Sequence, residues 1–118
     1  MTVFVFLDDA NSENHYQFSN LFFAGILGFA EDLRASSELL RLLKEGSLMH
    51  GVWIEDYSLE TQREFLKVIE EFSENLKRKG VEENYVIYVN GFVRVLAEKM
   101  RNPKTNFTYL NEEERFQL

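Results

Sequence analysis

The sequence predicts an α+β fold: one domain over residues 1–118, with a mixed or antiparallel sheet of four to five strands packed against about three helices. Three observations predict it. An apolar run, TVFVFL, opens the chain at residues 2–7. A long amphipathic stretch, LETQREFLKVIEEFSENLKRK, fills residues 59–79. The segment YVIYVNGFVRVL has the β-branched and aromatic density of a hairpin.

Taken in order, residues 2–7 read as a strand with Val3, Val5 and Leu7 on one face and Phe4 and Phe6 on the other. Both faces are apolar, which predicts a strand covered on both sides. The turn-rich DANSENH follows, and His15 to Leu33 reads as a buried helix with a stripe of Phe18, Leu21, Phe22, Ile26, Phe29 and Leu33. A strand within that run is the competing reading. SSELLRLLKEG is a shorter helix, capped by Ser36 or Ser37 and stopped at Gly46.

GVWIEDYS reads as a second strand, with Val52 and Ile54 on one face and Trp53, Glu55 and Tyr57 on the other. Ser58 caps the helix that follows, whose inner stripe is Phe65, Leu66, Ile69, Phe72 and Leu76. Its basic end, Lys77-Arg78-Lys79, complements the helix dipole, and Gly80 stops it. Asn90-Gly91 suits a type I′ turn, so residues 84–97 are predicted as a hairpin; a helix from Glu83 to Arg101 is the alternative. NFTYL, after Asn102-Pro103, adds a final edge strand, and residues 111–118 form a loose tail or a short helix.

The composition limits the functional classes. There are no cysteines, so neither a disulfide framework nor a thiolate metal site is available. The start lacks the basic and long apolar regions of a secretory signal. The longest apolar run, LFFAGILGFA, is about half of what a bilayer requires. The expectation is a cytoplasmic protein that does not engage membranes. The net charge is −7, and it is lopsided: residues 1–60 hold ten acids and three bases, while residues 61–118 hold ten of each. Such a chain repels phosphate backbones, which argues against nucleic acid, and it steers basic partners.

Two groups of residues invite a functional reading. If residues 2–7 and 51–57 pair in parallel, Asp8 and Asp9 stand near Glu55 and Asp56 at one sheet edge. Paired carboxylates there can hold a divalent cation or divide acid and base roles. The plain alternative is solvated charge in an acidic chain. Trp53 and Tyr57, flanked by Glu55 and Asp56, combine aromatic anchors with negative charge, as a protein interface does. His15 and His50 lack ligand spacing, and no nucleophile elbow or glycine-rich phosphate loop occurs. No catalytic residue, metal ligand or cofactor is therefore assigned. Asp8, Asp9, Glu13, Trp53, Glu55, Asp56 and Tyr57 are the predicted partner-binding residues.

In size, in its acidic first half from Asp8 to Glu60, in exposed-looking Trp53 and Tyr57, and in lacking a catalytic motif, the chain resembles the small acidic immunity proteins of bacterial toxin–immunity systems, including contact-dependent growth inhibition. That resemblance implies a cytoplasmic protein that neutralises one cognate toxin, often a nuclease, by covering its active site or a neighbouring surface. The expected partner is a basic toxin domain, and the chain itself is expected to be a monomer or weak dimer. Two other classes stay open. One is a small metal-assisted enzyme using the Asp8/Asp9 strand end. The other is a homodimeric adaptor joined through the hairpin or the final edge strand.

Overall fold

The structure, a computed structural model, describes residues 2–7, 15–80 and 83–101. Its described elements are β1 (Thr2–Phe6), β2 (His15–Ser19), α1 (Asn20–Asp32), α2 (Ser37–Met49), β3 (Gly51–Trp53), a 3-10 turn at Ile54–Asp56, α3 (Leu59–Arg78) and α4 (Glu83–Arg101). Among the described residues this is an α+β architecture with a three-stranded mixed sheet and four helices, against the four to five strands and about three helices predicted for the whole chain. The predicted strand NFTYL and the tail at 111–118 lie outside the described residues. No described helix is long and apolar enough to cross a membrane.

The strand order is β2-β1-β3. β1 pairs antiparallel with β2, from Thr2 opposite Ser19 to Phe6 opposite His15, and parallel with β3, from Phe4 opposite Gly51 to Phe6 opposite Trp53. The parallel pairing puts the carboxyl ends of β1 and β3 at one end of the sheet. Alternation along β1 buries Val3, Val5 and Leu7 completely, together with Tyr16 and Phe18 of β2 and Val52 of β3. Helix residues Phe23, Ile26, Leu39, Leu42, Leu43, Phe65 and Phe92 complete this core. The opposite face of β1 departs from expectation: Phe4 and Phe6 are only half-buried.

Residues 15–33 are not one helix. HYQFS alternates polar and apolar side chains at a period of two, and it pairs with β1 as β2. α1 then starts at Asn20, where Ser19 Oγ accepts the Phe22 N–H at 3.1 Å. The predicted stripe shifts accordingly. Phe23, Ile26 and Ala30 are buried, while Leu21 is 85% exposed.

α2 is capped at Ser36 and runs through Gly46 to Met49. Gly46 does not stop the helix, because its missing side chain serves packing. A Cβ there would sit 2.2 Å from Val52 Cγ2 and 3.1 Å from the Phe23 ring, so β3 approaches as closely as it does only over a glycine. The helix ends instead at His50, in the left-handed region at φ 59°. The His50 carbonyl accepts the Phe4 N–H at 3.1 Å, so this cap begins the β1–β3 ladder.

α3 matches expectation most closely. Ser58 Oγ accepts the Thr61 N–H, Phe65, Ile69, Phe72 and Leu76 are buried, and Gly80 follows the helix at φ 71°. The predicted hairpin at 84–97 is overturned, since Glu83–Arg101 is one helix. Val86, Val89, Phe92, Leu96 and Lys99 recur at three- and four-residue steps and are buried, so long-range packing on α3 and β2 outweighs local β propensity. Asn90 makes no turn. Its Oδ1 accepts the Ser73 hydroxyl at 2.8 Å and links α4 to α3. A dimer joined through a hairpin loses its structural basis.

Tyr16 and Phe18 of β2 pack edge-on against Tyr88 and Phe92 of α4, at centroid separations of 5.1–5.7 Å. Tyr88 has a second role. Gln17, opposite Phe4, turns both backbone groups away from β1. The Tyr88 hydroxyl accepts the Gln17 N–H and donates to the Gln17 carbonyl, each at 2.8 Å. The outer edge of β2 is thereby closed at its middle residue.

Candidate partner-binding surface

On the side of the sheet away from the core, the register sets side chains in rows. His15, Phe6 and Trp53 form one row across all three strands, and Gln17, Phe4 and Gly51 form the next. Four of these six are aromatic. Phe6 and Trp53 stack at 4.6 Å with an interplanar angle of 18°, Phe4 and Phe6 stack at 6.1 Å, and His15 stands 5.4 Å from Phe4 and 5.5 Å from Phe6. Among the described residues, Phe4 and Phe6 have no ring contact with a helix. Gly51 gives Trp53 its space, because a Cβ at that position would lie 3.3 Å from the indole. The ring thus lies back along its own strand, one face on Phe6, and the residue remains 43% exposed.

β3 ends at Trp53, and Ile54–Asp56 turns as a 3-10 helix rather than continuing the strand. This bend changes the predicted grouping of Trp53, Glu55 and Tyr57 on one strand face. Glu55 and Asp56 are exposed just beyond Trp53. Tyr57 is held by residues of α2. Its hydroxyl donates to Glu45 Oε2 at 2.9 Å, and the Arg41 guanidinium carbon lies 5.5 Å from its ring centre. Burial, and then the Glu45 carboxylate, push the Tyr57 phenol up to about 12.

Glu55 is also committed to the fold. Its carboxylate lies 3.4 Å from the ammonium of Lys99, a lysine only 5% exposed near the end of α4. The two line a cleft of 250 Å³ with Tyr57, Leu59, Gln62 and Met100. A buried ammonium requires a carboxylate, so part of the charge of Glu55 is balanced within the molecule.

Other acids, Glu38 and Glu60 of the first half and Glu64 of the second, sit at helix ends. The starts of α2 and α3 lie side by side and cap each other. The Ser36 N–H donates to Glu64 at 3.0 Å, with the Ser36 hydroxyl on the same carboxylate, while the Ser58 N–H donates to Glu38 at 3.4 Å. Glu38 and Glu60 also sit in the first turns of α2 and α3, where a carboxylate meets the positive end of the helix dipole. These carboxylates stabilise two adjacent helix N-termini.

Of the predicted partner-binding residues, Trp53, Glu55 and Asp56 follow one another at the exposed end of β3, while Glu55 shares its cleft with Tyr57, which Glu45 and Arg41 hold. Asp8, Asp9 and Glu13 lie outside the described residues. Sequence reasoning missed Phe4, Phe6 and His15. The available signal was the division within TVFVFL: one face is aliphatic and the other wholly aromatic. Among the described residues, no group of three or more His, Asp or Glu is placed to hold a metal ion. No protein-family model, curated protein or solved structure matches this chain.

Proposed function

We propose that this chain is a binding protein that seats a basic protein partner on the aromatic face of its sheet. The observation that carries the reading is Trp53: 43% exposed, stacked on Phe6, and followed directly by Glu55 and Asp56. Tryptophan is a favoured anchor of protein interfaces, and an aromatic patch bordered by carboxylates suits a partner that carries cations. Rings already stacked on a sheet lose little freedom on binding, which favours affinity. The excess of acids in residues 1–60 supports rapid encounter with a basic surface.

The partner we favour is a basic bacterial toxin domain that this chain neutralises in the cytoplasm, by occupying a surface and not by chemistry. A toxin that handles nucleic acid must be cationic where it holds phosphates, and a carboxylate-bordered surface competes for that site. The test is capture from lysate of the source cell with wild type and with the Trp53→Ala/Asp56→Lys double variant, after circular dichroism has established that both are folded. The reading expects one basic protein retained by the wild type, released by salt and lost by the variant. Equal retention by both proteins would overturn it.

A further inference from the structure

The geometry points to Trp53 as an arginine anchor: its solvent face takes the guanidinium of an arginine in an extended, basic segment of the partner, with Asp56 beside it. This deepens the proposed function and rests on it.

Two aromatic side chains near the end of β3 are in different states of occupancy. Tyr57 already holds a guanidinium from its own chain, with Arg41 5.5 Å from the ring centre and the Glu45 carboxylate on its hydroxyl. Trp53 has the stronger π face of the two, and it lies on Phe6; among the described residues no cation stands over it. One side of the indole meets Phe6, and the residue keeps 43% of its surface in solvent. Nearby, Glu55 is balanced by Lys99, whereas Asp56 is exposed and pairs with no described side chain. Three residues of chain span at most about 11 Å between Trp53 and Asp56. A planar cation on the indole therefore has a carboxylate within a side chain's reach.

The planar shape selects arginine over lysine. Guanidinium is weakly hydrated and stacks flat on a ring, while ammonium is a strongly hydrated point charge that gains chiefly from the field. A nucleobase would also stack on an indole, but its phosphates meet Asp56 and the acidic first half.

Because Trp53 is the only tryptophan, its fluorescence reports this site alone. The experiment titrates the whole protein with hexa-arginine, hexa-lysine and oligothymidylate at fixed low salt, following Trp53 emission, with calorimetry for Trp53→Leu and Asp56→Asn. The expected result has three parts. Hexa-arginine shifts the emission and binds roughly two- to five-fold tighter than hexa-lysine. Trp53→Leu, shown to be folded by circular dichroism, removes the preference and leaves hexa-lysine binding intact. Asp56→Asn weakens both peptides. Equal affinity for the two peptides without an emission change, but still dependent on Asp56, would overturn the arginine anchor and leave the basic-partner reading standing. Failure of both peptides to bind, or tighter binding of the oligonucleotide, would overturn both.

Discussion

Both faces of the three-stranded sheet carry aromatic rings, but those rings make different contacts. On the inner face, Tyr16 and Phe18 pack edge-on against Tyr88 and Phe92 of α4 and are closed off from water. On the outer face, Phe4, Phe6 and Trp53 stack on one another, with His15 against the two phenylalanines, and among the described residues no helix ring covers Phe4 or Phe6. The inner rings therefore support the fold, while the outer rings keep part of their surface in solvent. Apolar character alone does not separate these roles. What a side chain touches does.

The largest expected effect is on the inner face. Phe18→Ala removes a ring packed against Phe22, Phe23, Tyr88 and Phe92, and is expected to cost about 3–5 kcal/mol by urea denaturation. Phe4→Ala on the outer face is expected to cost no more than about 1–2 kcal/mol. Equal costs would break the comparison, because they would mean that both faces are enclosed.

Next comes the edge of β2. Tyr88→Phe keeps the buried ring but leaves the Gln17 N–H and carbonyl without the Tyr88 hydroxyl. The expected loss is about 1–3 kcal/mol, with a rise in self-association seen by light scattering as the unblocked edge meets another chain. A fully stable, monomeric Tyr88→Phe protein would contradict this role.

The smallest effect sharpens the contrast between Tyr57, held within the fold, and Trp53. Folding raises the Tyr57 phenol from 10.0 to about 12, chiefly through burial and then through Glu45. The folded chain thus keeps a proton that the unfolded chain releases, so this contribution to stability is complete below pH 10 and lost as pH rises toward 12. Ultraviolet difference titration of wild type against Tyr57→Phe should isolate one phenol ionising near pH 12. A midpoint near 10 would show that Tyr57 is not held as described.

Much of the fold could be read from the sequence where local and tertiary signals agree. β1 and α3 are such cases: the alternation of TVFVFL, the Ser58 cap, the stripe from Phe65 to Leu76 and Gly80 all point the same way. The signals conflict in α4. Asn90-Gly91 and the flanking Val, Ile and Tyr favour a hairpin locally, but the spacing of Val86, Val89, Phe92 and Leu96 fits a helix face, and packing on α3 and β2 decides. The run from His15 to Leu33 hid β2 because Phe18 suits either period. For the candidate surface, Trp53 and Asp56 could be picked from composition. Phe4 and Phe6 could not, because their half-burial depends on which elements pack on that side, and among the described residues no helix ring meets them. The departure of Tyr57 from the strand face depends on the 3-10 turn, and the partial neutralisation of Glu55 depends on a lysine 44 positions later in the chain.

The central claim is that Trp53 lies on an open, negatively charged face, and charged quenchers test it directly in the free protein. At low salt, Trp53 emission should be quenched readily by acrylamide, and more strongly by caesium than by iodide after correction for their intrinsic efficiencies. A blue-shifted emission resistant to acrylamide, or stronger quenching by iodide than by caesium, would contradict the account.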